Sequence, residues 1–211
     1  RAHNQGLTLW QKLIMQMIAA GVMLVLLPIS LSPLGLTISW LSLVSMSNAA
    51  NLTDGLDGLL AGISSIIMLV LALSLGGVWW LFLGIILGFW LVNYPPAHLF
   101  MGDTGSLAIG AALGSVPIVY YATYASAASD TSTWLIIIAL SLLGYGLFVA
   151  ETVSVIIQVC VYKLYKKRVF LMAPLHHHLE LKGYSERQIM LGAIILQLIF
   201  CLFCLIIGLI I

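Results

Sequence analysis

The feature that most limits what this chain can become is the way its charge is placed. Apolar runs follow one another almost without interruption, and nearly every charged residue falls in the short segments between them. Read in order, the runs are Leu13–Leu27, Leu36–Ala50, Leu59–Leu75, Val78–Val92, Leu107–Tyr121, Trp134 to about Tyr165, and Ile189–Ile211. With 62% hydrophobic and 7% charged residues and a mean hydropathy of +1.15, such a chain belongs in lipid. The expected fold is an all-α polytopic transmembrane helix bundle of about seven spans, the whole of 1–211 forming one transmembrane domain.

Seven crossings have a consequence for charge. With Arg1 on one side, that side receives all eight Lys and Arg: Arg1, Lys12, Lys163, Lys166, Lys167, Arg168, Lys182 and Arg187. The opposite side receives Asp130 alone. This is the asymmetry expected of cytoplasm against exterior, so the basic side is read as cytoplasmic. A net charge of +1 says nothing about nucleic acid, and no basic tract of the kind a nucleic-acid binder needs is present, so no such partner is expected.

Local signals refine the spans. Ser39, Ser42, Ser45 and Ser47 lace the second run with hydroxyls able to bond back to the helix or across to a neighbour. Gly76-Gly77 leaves room only for a helical hairpin, and Trp79, Trp80 and Trp90 near the run ends suit a membrane interface. Ala108, Ala111, Ala112 and Ser115 are expected to form a close-packing face on the fifth span. The run from Trp134 is too long for one straight crossing and should tilt, kink near Gly144 and Gly146, or emerge along the membrane surface. Cys160, Cys201 and Cys204 lie inside apolar runs and are read as packing residues, including the Cys201-x-x-Cys204 pair.

The same parity brings three polar stretches to one face: NLTDGLDG, NYPPAHLFMGDTGS and the run containing His176-His177-His178. In the first, Asn51, Asp54 and Asp57 share a helical face if a turn begins there. The plain alternative makes Asp54 the N-cap of the third span and Asp57 a first-turn acid. In the second, two prolines stop a helix and Gly102 and Gly105 bracket Asp103, an arrangement suited to a phosphate or a Mg²⁺ ion. Mg²⁺ favours one or two carboxylates plus substrate phosphate oxygens, which makes Asp103 the candidate metal ligand. Adjacent histidines on a helix point roughly 100° apart, so phosphate binding or proton transfer is a better reading of the triplet than a zinc site. Lys12 is either a snorkelling helix-end cation or a phosphate contact. Glu151, inside the sixth span, is expected to make a structural hydrogen bond, with a functional role as the alternative.

NAANLTDGLDGLLAG, NYPPAHLFMGDTGSLAIGAALG and APLHHHLELKG together resemble the phospho-N-acetylmuramoyl-pentapeptide transferase family, within the polyprenyl-phosphate sugar-1-phosphate transferases. The resemblance covers essentially the whole chain. It implies an enzyme of peptidoglycan synthesis in the bacterial plasma membrane, with its active site cytoplasmic. Phospho-N-acetylmuramoyl-pentapeptide would pass from UDP to undecaprenyl phosphate, forming the first lipid-linked precursor and UMP, with Mg²⁺ as cofactor. It implies catalytic roles for Asp103, His176, His177 and His178, with Asp103 on the metal. Asn51, Asp54 and Asp57 would line the nucleotide-sugar pocket, Asn93, Phe100 and Gly102 would help hold the nucleoside, and Lys12 would meet phosphate. Membrane lipid is a further partner, and a second copy of the chain is a candidate one.

The family also carries an adjacent aspartate pair upstream of the position of Arg1. Its absence here leads to the expectation that this is the C-terminal portion of a longer chain of roughly ten spans, inactive by itself. The competing readings are transfer of another UDP-sugar phosphate to a polyprenyl phosphate and, from a different class, an ion-coupled transporter.

Overall fold

The computed structural model describes residues 8–124 and 131–210. Arg1 and Asp130, on which the charge parity drew, lie outside the described residues. Among the described residues there are ten helices, in order α1 (Leu9–Leu26), α2 (Pro33–Thr53), α3 (Leu59–Leu75), α4 (Val78–Asn93), α5 (Gly102–Gly114), α6 (Val116–Tyr124), α7 (Thr131–Gly144), α8 (Gly146–Tyr165), α9 (Leu175–Leu181) and α10 (Glu186–Ile210). Among the described residues, three helical stretches are long and apolar enough to cross a membrane: Gly102–Thr123, which takes in α5 and most of α6, Gly146–Tyr165 and Glu186–Ile207. Trp10–Leu26, Leu59–Leu75, Val78–Asn93 and Trp134–Gly144 are apolar but shorter. The architecture is that of a membrane helix bundle.

Helix starts follow their local chemistry. Thr8 and Gln11 form a reciprocal capping box at α1, and Ser32 accepts the Gly35 amide at 3.1 Å with Pro33 opening α2. Gly76 and Gly77, at φ 65° and 55°, take the positive dihedrals that turn α3 into α4. The centre of the bundle is α3, whose Leu59, Leu60, Ile63, Ile67 and Met68 are buried and which packs against α4 and α10. Trp79 belongs to this core instead of the interface, and Trp90 turns inward to donate to Gly58 O at 3.1 Å. Trp80 remains half exposed.

The close contact between α2 and α5 corrects the expected small-residue face. Ala108 is exposed, and the approach is made by Gly110 and Gly114. A Cβ on Gly110 would stand 2.4 Å from Met46 O, and one on Gly114 2.7 Å from Ser42 O. Only glycine lets the two backbones come this near, so the glycine face wins over the alanine face one position away. Ser47 Oγ closes the contact by donating to Leu107 O at 3.3 Å.

The long run from Trp134 does break where its glycines suggested. Tyr145 separates α7 from α8. Gln197 of α10 donates to Gly144 O at 2.6 Å, and Tyr145 Oη donates to Leu113 O at 2.8 Å. Cys201 and Cys204 pack on the same carbonyl ridge of α7, against Gly144 O and Leu140 O, as apolar-run thiols do.

Candidate functional site

The end of α2 sets the site. Its last turn carries Asn51, and Asp54 is its C-cap at φ −77° and ψ 47°. The next helix does not begin until Gly58, at φ 72°, and has neither a side-chain cap nor an acid in its first turn. Asp54 is therefore not the N-cap of α3, and Asp57 is not a first-turn acid. A carboxylate at a helix C-terminus faces the unfavourable end of the dipole. Burial, with Asp103 nearby as the smaller cause, raises the Asp54 carboxyl from an ordinary 3.8 to about 6.

Asp103 arrives from the other side as the second residue of α5, behind Gly102 at φ 64°. Its Oδ1 accepts from Asn51 Nδ2 at 2.9 Å, and its Oδ2 pairs with the Lys12 ammonium of α1. Asn51 Nδ2 also donates to Ser106 Oγ at 2.9 Å. Three helices thus meet on one carboxylate whose side chain remains 51% exposed. Nothing lies within 4 Å of where a Cβ on Gly102 would be, so the start of α5 is open to an approaching group.

The loop between α4 and α5 is pinned by residues that do not themselves face that opening. Asn93 is buried; its Oδ1 accepts from Gly58 N at 3.0 Å and its Nδ2 donates to Leu99 O at 2.8 Å. Asp57 Oδ2 accepts from Ala97 N at 2.8 Å. Arg187 of α10 chelates Pro95 O through Nε and Nη2 at 3.2 and 2.9 Å and lies over the Tyr94 ring. Phe100, at the tip, is 74% exposed. Structure places Asp57 and Asn93 in the loop's frame, and Asp103 and Phe100 at its open edge.

The histidines separate. His176 is buried, with Nδ1 3.3 Å from Glu151 Oε2 of α8 and its ring pressed against Gly55. His177 Nδ1 lies 3.0 Å from Glu180 Oε2, and His178 Nδ1 accepts from Leu171 N at 3.1 Å. One imidazole therefore enters the Asp54–Gly58 turn while the other two face their own segment. Sequence reasoning had given no site role to Arg187, Ser106 or Trp90. Of these, Ser106 lay within a quoted motif and Arg187 was counted only as a topology charge.

Among the described residues, no three His, Cys, Asp or Glu side chains gather into a cage for a metal ion. The paired acids Asp54 and Asp103 nevertheless suit Mg²⁺, which takes few protein ligands and completes its shell with phosphate and water oxygens. Two neighbouring carboxylates, one of them half-buried with a raised pKa, are a donor set that a dication relieves.

The sequence model of glycosyl transferase family 4 matches residues 4–121. Phospho-N-acetylmuramoyl-pentapeptide-transferases are similar over more of the chain. That of Synechococcus sp. (strain RCC307) is 41% identical over 91% of this chain and 58% of its own length. The Levilactobacillus brevis protein is 39% identical over 88% of this chain and 60% of its own, and the Chlamydia trachomatis serovar D protein 43% identical over 84% and 50%. The chain thus spans 50% to 60% of the length of these relatives.

Proposed function

The chain belongs to glycosyl transferase family 4, and on that premise we propose that its protein moves phospho-N-acetylmuramoyl-pentapeptide from UDP to undecaprenyl phosphate. A lipid-phosphate oxygen attacks the sugar-bearing phosphorus of the UDP-sugar, the bond to the nucleoside phosphate breaks, and UMP leaves. The observation that carries this reading is the meeting of Lys12, Asn51, Asp54, Asp103 and His176, from α1, α2, α5, α9 and the turn after α2, at one open end of an apolar bundle. An enzyme joining a water-soluble nucleotide to a membrane-held lipid needs its polar site at such an end.

The site's task is to bring anions together. Asp103, with Asp54 beside it, would hold Mg²⁺, which supplies positive charge for the pyrophosphate. Lys12 is placed to meet phosphate oxygens, and Asn51 holds the Asp103 carboxylate in position between α2 and α5. The open start of α5 behind Gly102 adds backbone amides. Phe100 offers an exposed ring for the nucleoside base, while Asn93 serves it by keeping the loop folded. His176 reaches the nucleotide-sugar turn from the far side, while His177 pairs with Glu180 on its own helix. Seven crossings of the bacterial plasma membrane, with this end cytoplasmic, complete the reading.

A transporter would be expected to carry its acids along a path through the bilayer. Asp54, Asp57 and Asp103 lie at one end, and Glu151, within α8, is taken up by His176. The test is UMP release by the full-length protein in lipid, with UDP-muramoyl-pentapeptide and undecaprenyl phosphate, in Mg²⁺ and in EDTA. Release dependent on Mg²⁺ is the expected result. Release from UDP-N-acetylglucosamine but not from the muramoyl substrate would move the assignment to a related transferase, and no release from either would remove it.

A further inference from the structure

We propose that Glu151 is a positioning residue that acts through His176, holding the imidazole so that Nε2 is the atom presented to the Asp54–Gly58 turn. The inference rests on the transferase reading and assigns to the same site a residue from the interior of a membrane helix.

Glu151 lies on α8 at 3% exposure, and His176 on α9 at 1%. One carboxylate oxygen, Oε2, does two things. It accepts the His176 backbone amide at 3.4 Å and stands 3.3 Å from His176 Nδ1. The opposite edge of the ring fixes its direction: a Cβ on Gly55 would be 2.3 Å from Nε2 and 3.1 Å from Cε1. The imidazole is therefore held between a carboxylate on α8 and the glycine between Asp54 and the rest of the turn.

Two considerations separate this from a simple anchor. An acid inside a membrane helix is costly, and a neutral amide or hydroxyl would hold one backbone N–H with a smaller desolvation penalty. The charge is accounted for if it also orients the ring and favours a proton on Nδ1, as carboxylates do for other working imidazoles. Second, both ring nitrogens are buried without a well-formed hydrogen bond among the described residues. A ring used only for packing would leave two polar atoms uncompensated. A ring that braces the Asp54–Gly58 turn with its Nε2 edge, while its Nδ1 edge takes its orientation from Glu151, gives both edges a use. Ser154, whose hydroxyl donates to Glu151 O at 2.6 Å, and Phe148, fully buried one turn earlier, keep this part of α8 rigid.

Glu151→Gln keeps the shape and an acceptor for the His176 amide while removing the charge. In the full-length protein it should unfold at a temperature close to wild type. Turnover should fall by about tenfold or more, with KM for the UDP-sugar within about twofold. Combined with His176→Asn, the second change should cost nothing further, because Glu151 works only through that ring. The direct readout is ¹⁵N NMR of histidine-labelled protein in lipid, with His176→Asn identifying its signals. The His176 Nδ1 resonance should be that of a protonated nitrogen and should shift in Glu151→Gln. An unchanged Nδ1 resonance, full turnover in Glu151→Gln, or additive losses in the double variant would each overturn the proposal. Because the NMR measurement needs no substrate, failure of the proposed reaction leaves it decidable.

Discussion

Two interruptions of the helical bundle are finished in opposite ways. At Tyr145, between α7 and α8, each freed group we can trace is taken up from a neighbouring helix: Gly144 O by Gln197, and the tyrosine hydroxyl by Leu113 O. Gly146 makes room for the Phe200 ring, which a Cβ would meet at 2.8 Å. A cavity of about 310 Å³ beside this break is lined by apolar side chains such as Leu71, Val116, Ile137 and Leu205. Between α4 and α5 the frame is equally well bonded, through Asn93, Asp57 and Arg187, but its edge is left open at Phe100, Gly102 and Asp103. A break in a membrane helix is ordinary when its polar groups close on the bundle. It becomes a site when a rigid frame holds a few of them outward.

The largest expected effect tests that distinction at the open break. Asp103→Asn in the full-length protein should lower UMP release by about a thousandfold or more, since on the proposed reading it removes the carboxylate that would hold Mg²⁺. Its melting temperature should stay near wild type, because the side chain is half exposed. Unchanged turnover would mean that the open edge is not where the chemistry occurs.

Asp54 gives a smaller effect with a definite sign. Its carboxyl titrates at about 6 in the folded protein against an ordinary 3.8, so folding favours the protonated form. That contribution is complete below about pH 4 and is lost as pH rises through 6. In Mg²⁺-free buffer the stability of the full-length protein should therefore fall across this window, by on the order of 1 kcal/mol once solvent screening of a half-exposed group is allowed for. Asp54→Asn should flatten the profile. A profile equally steep in the variant would place the responsible group elsewhere.

What could be read from the residues alone follows the range of the interactions involved. Apolar runs, the Gly76-Gly77 hairpin and the break near Gly144 depend on local chemistry, and each is found where composition and glycine placed it. Charge parity brought the three polar stretches to one face, and contacts such as Asn51 with Asp103 and His176 with Gly55 join them there. The Asp54 capping reading failed because a left-handed Gly58 delays the start of α3, a turn conformation that the pattern of acids does not reveal. The face of α5 was misjudged because two small-residue stripes run side by side, and only the partner backbone selects the glycines. Arg187 with Pro95, and Glu151 with His176, are separated by 92 and 25 residues. Such pairings are tertiary, and no spacing rule announces them.

The closed break supplies the counterpart with the smallest effects. Gln197→Leu removes the donor to Gly144 O but keeps the side chain's bulk, and interhelical hydrogen bonds in lipid are individually modest. A loss of about 1 kcal/mol, with turnover within about twofold, is expected. Tyr145→Phe deletes only the hydroxyl bonded to Leu113 O and should cost about 0.6 kcal/mol. Both are measured by unfolding in mixed detergent alongside UMP release. If either variant lost turnover as Asp103→Asn is expected to, the α7–α8 break would have to move during the reaction, and the contrast between a closed structural kink and an open site would fail. Retained turnover with a small stability loss confines the chemistry to the end of the bundle where Asp103 faces outward.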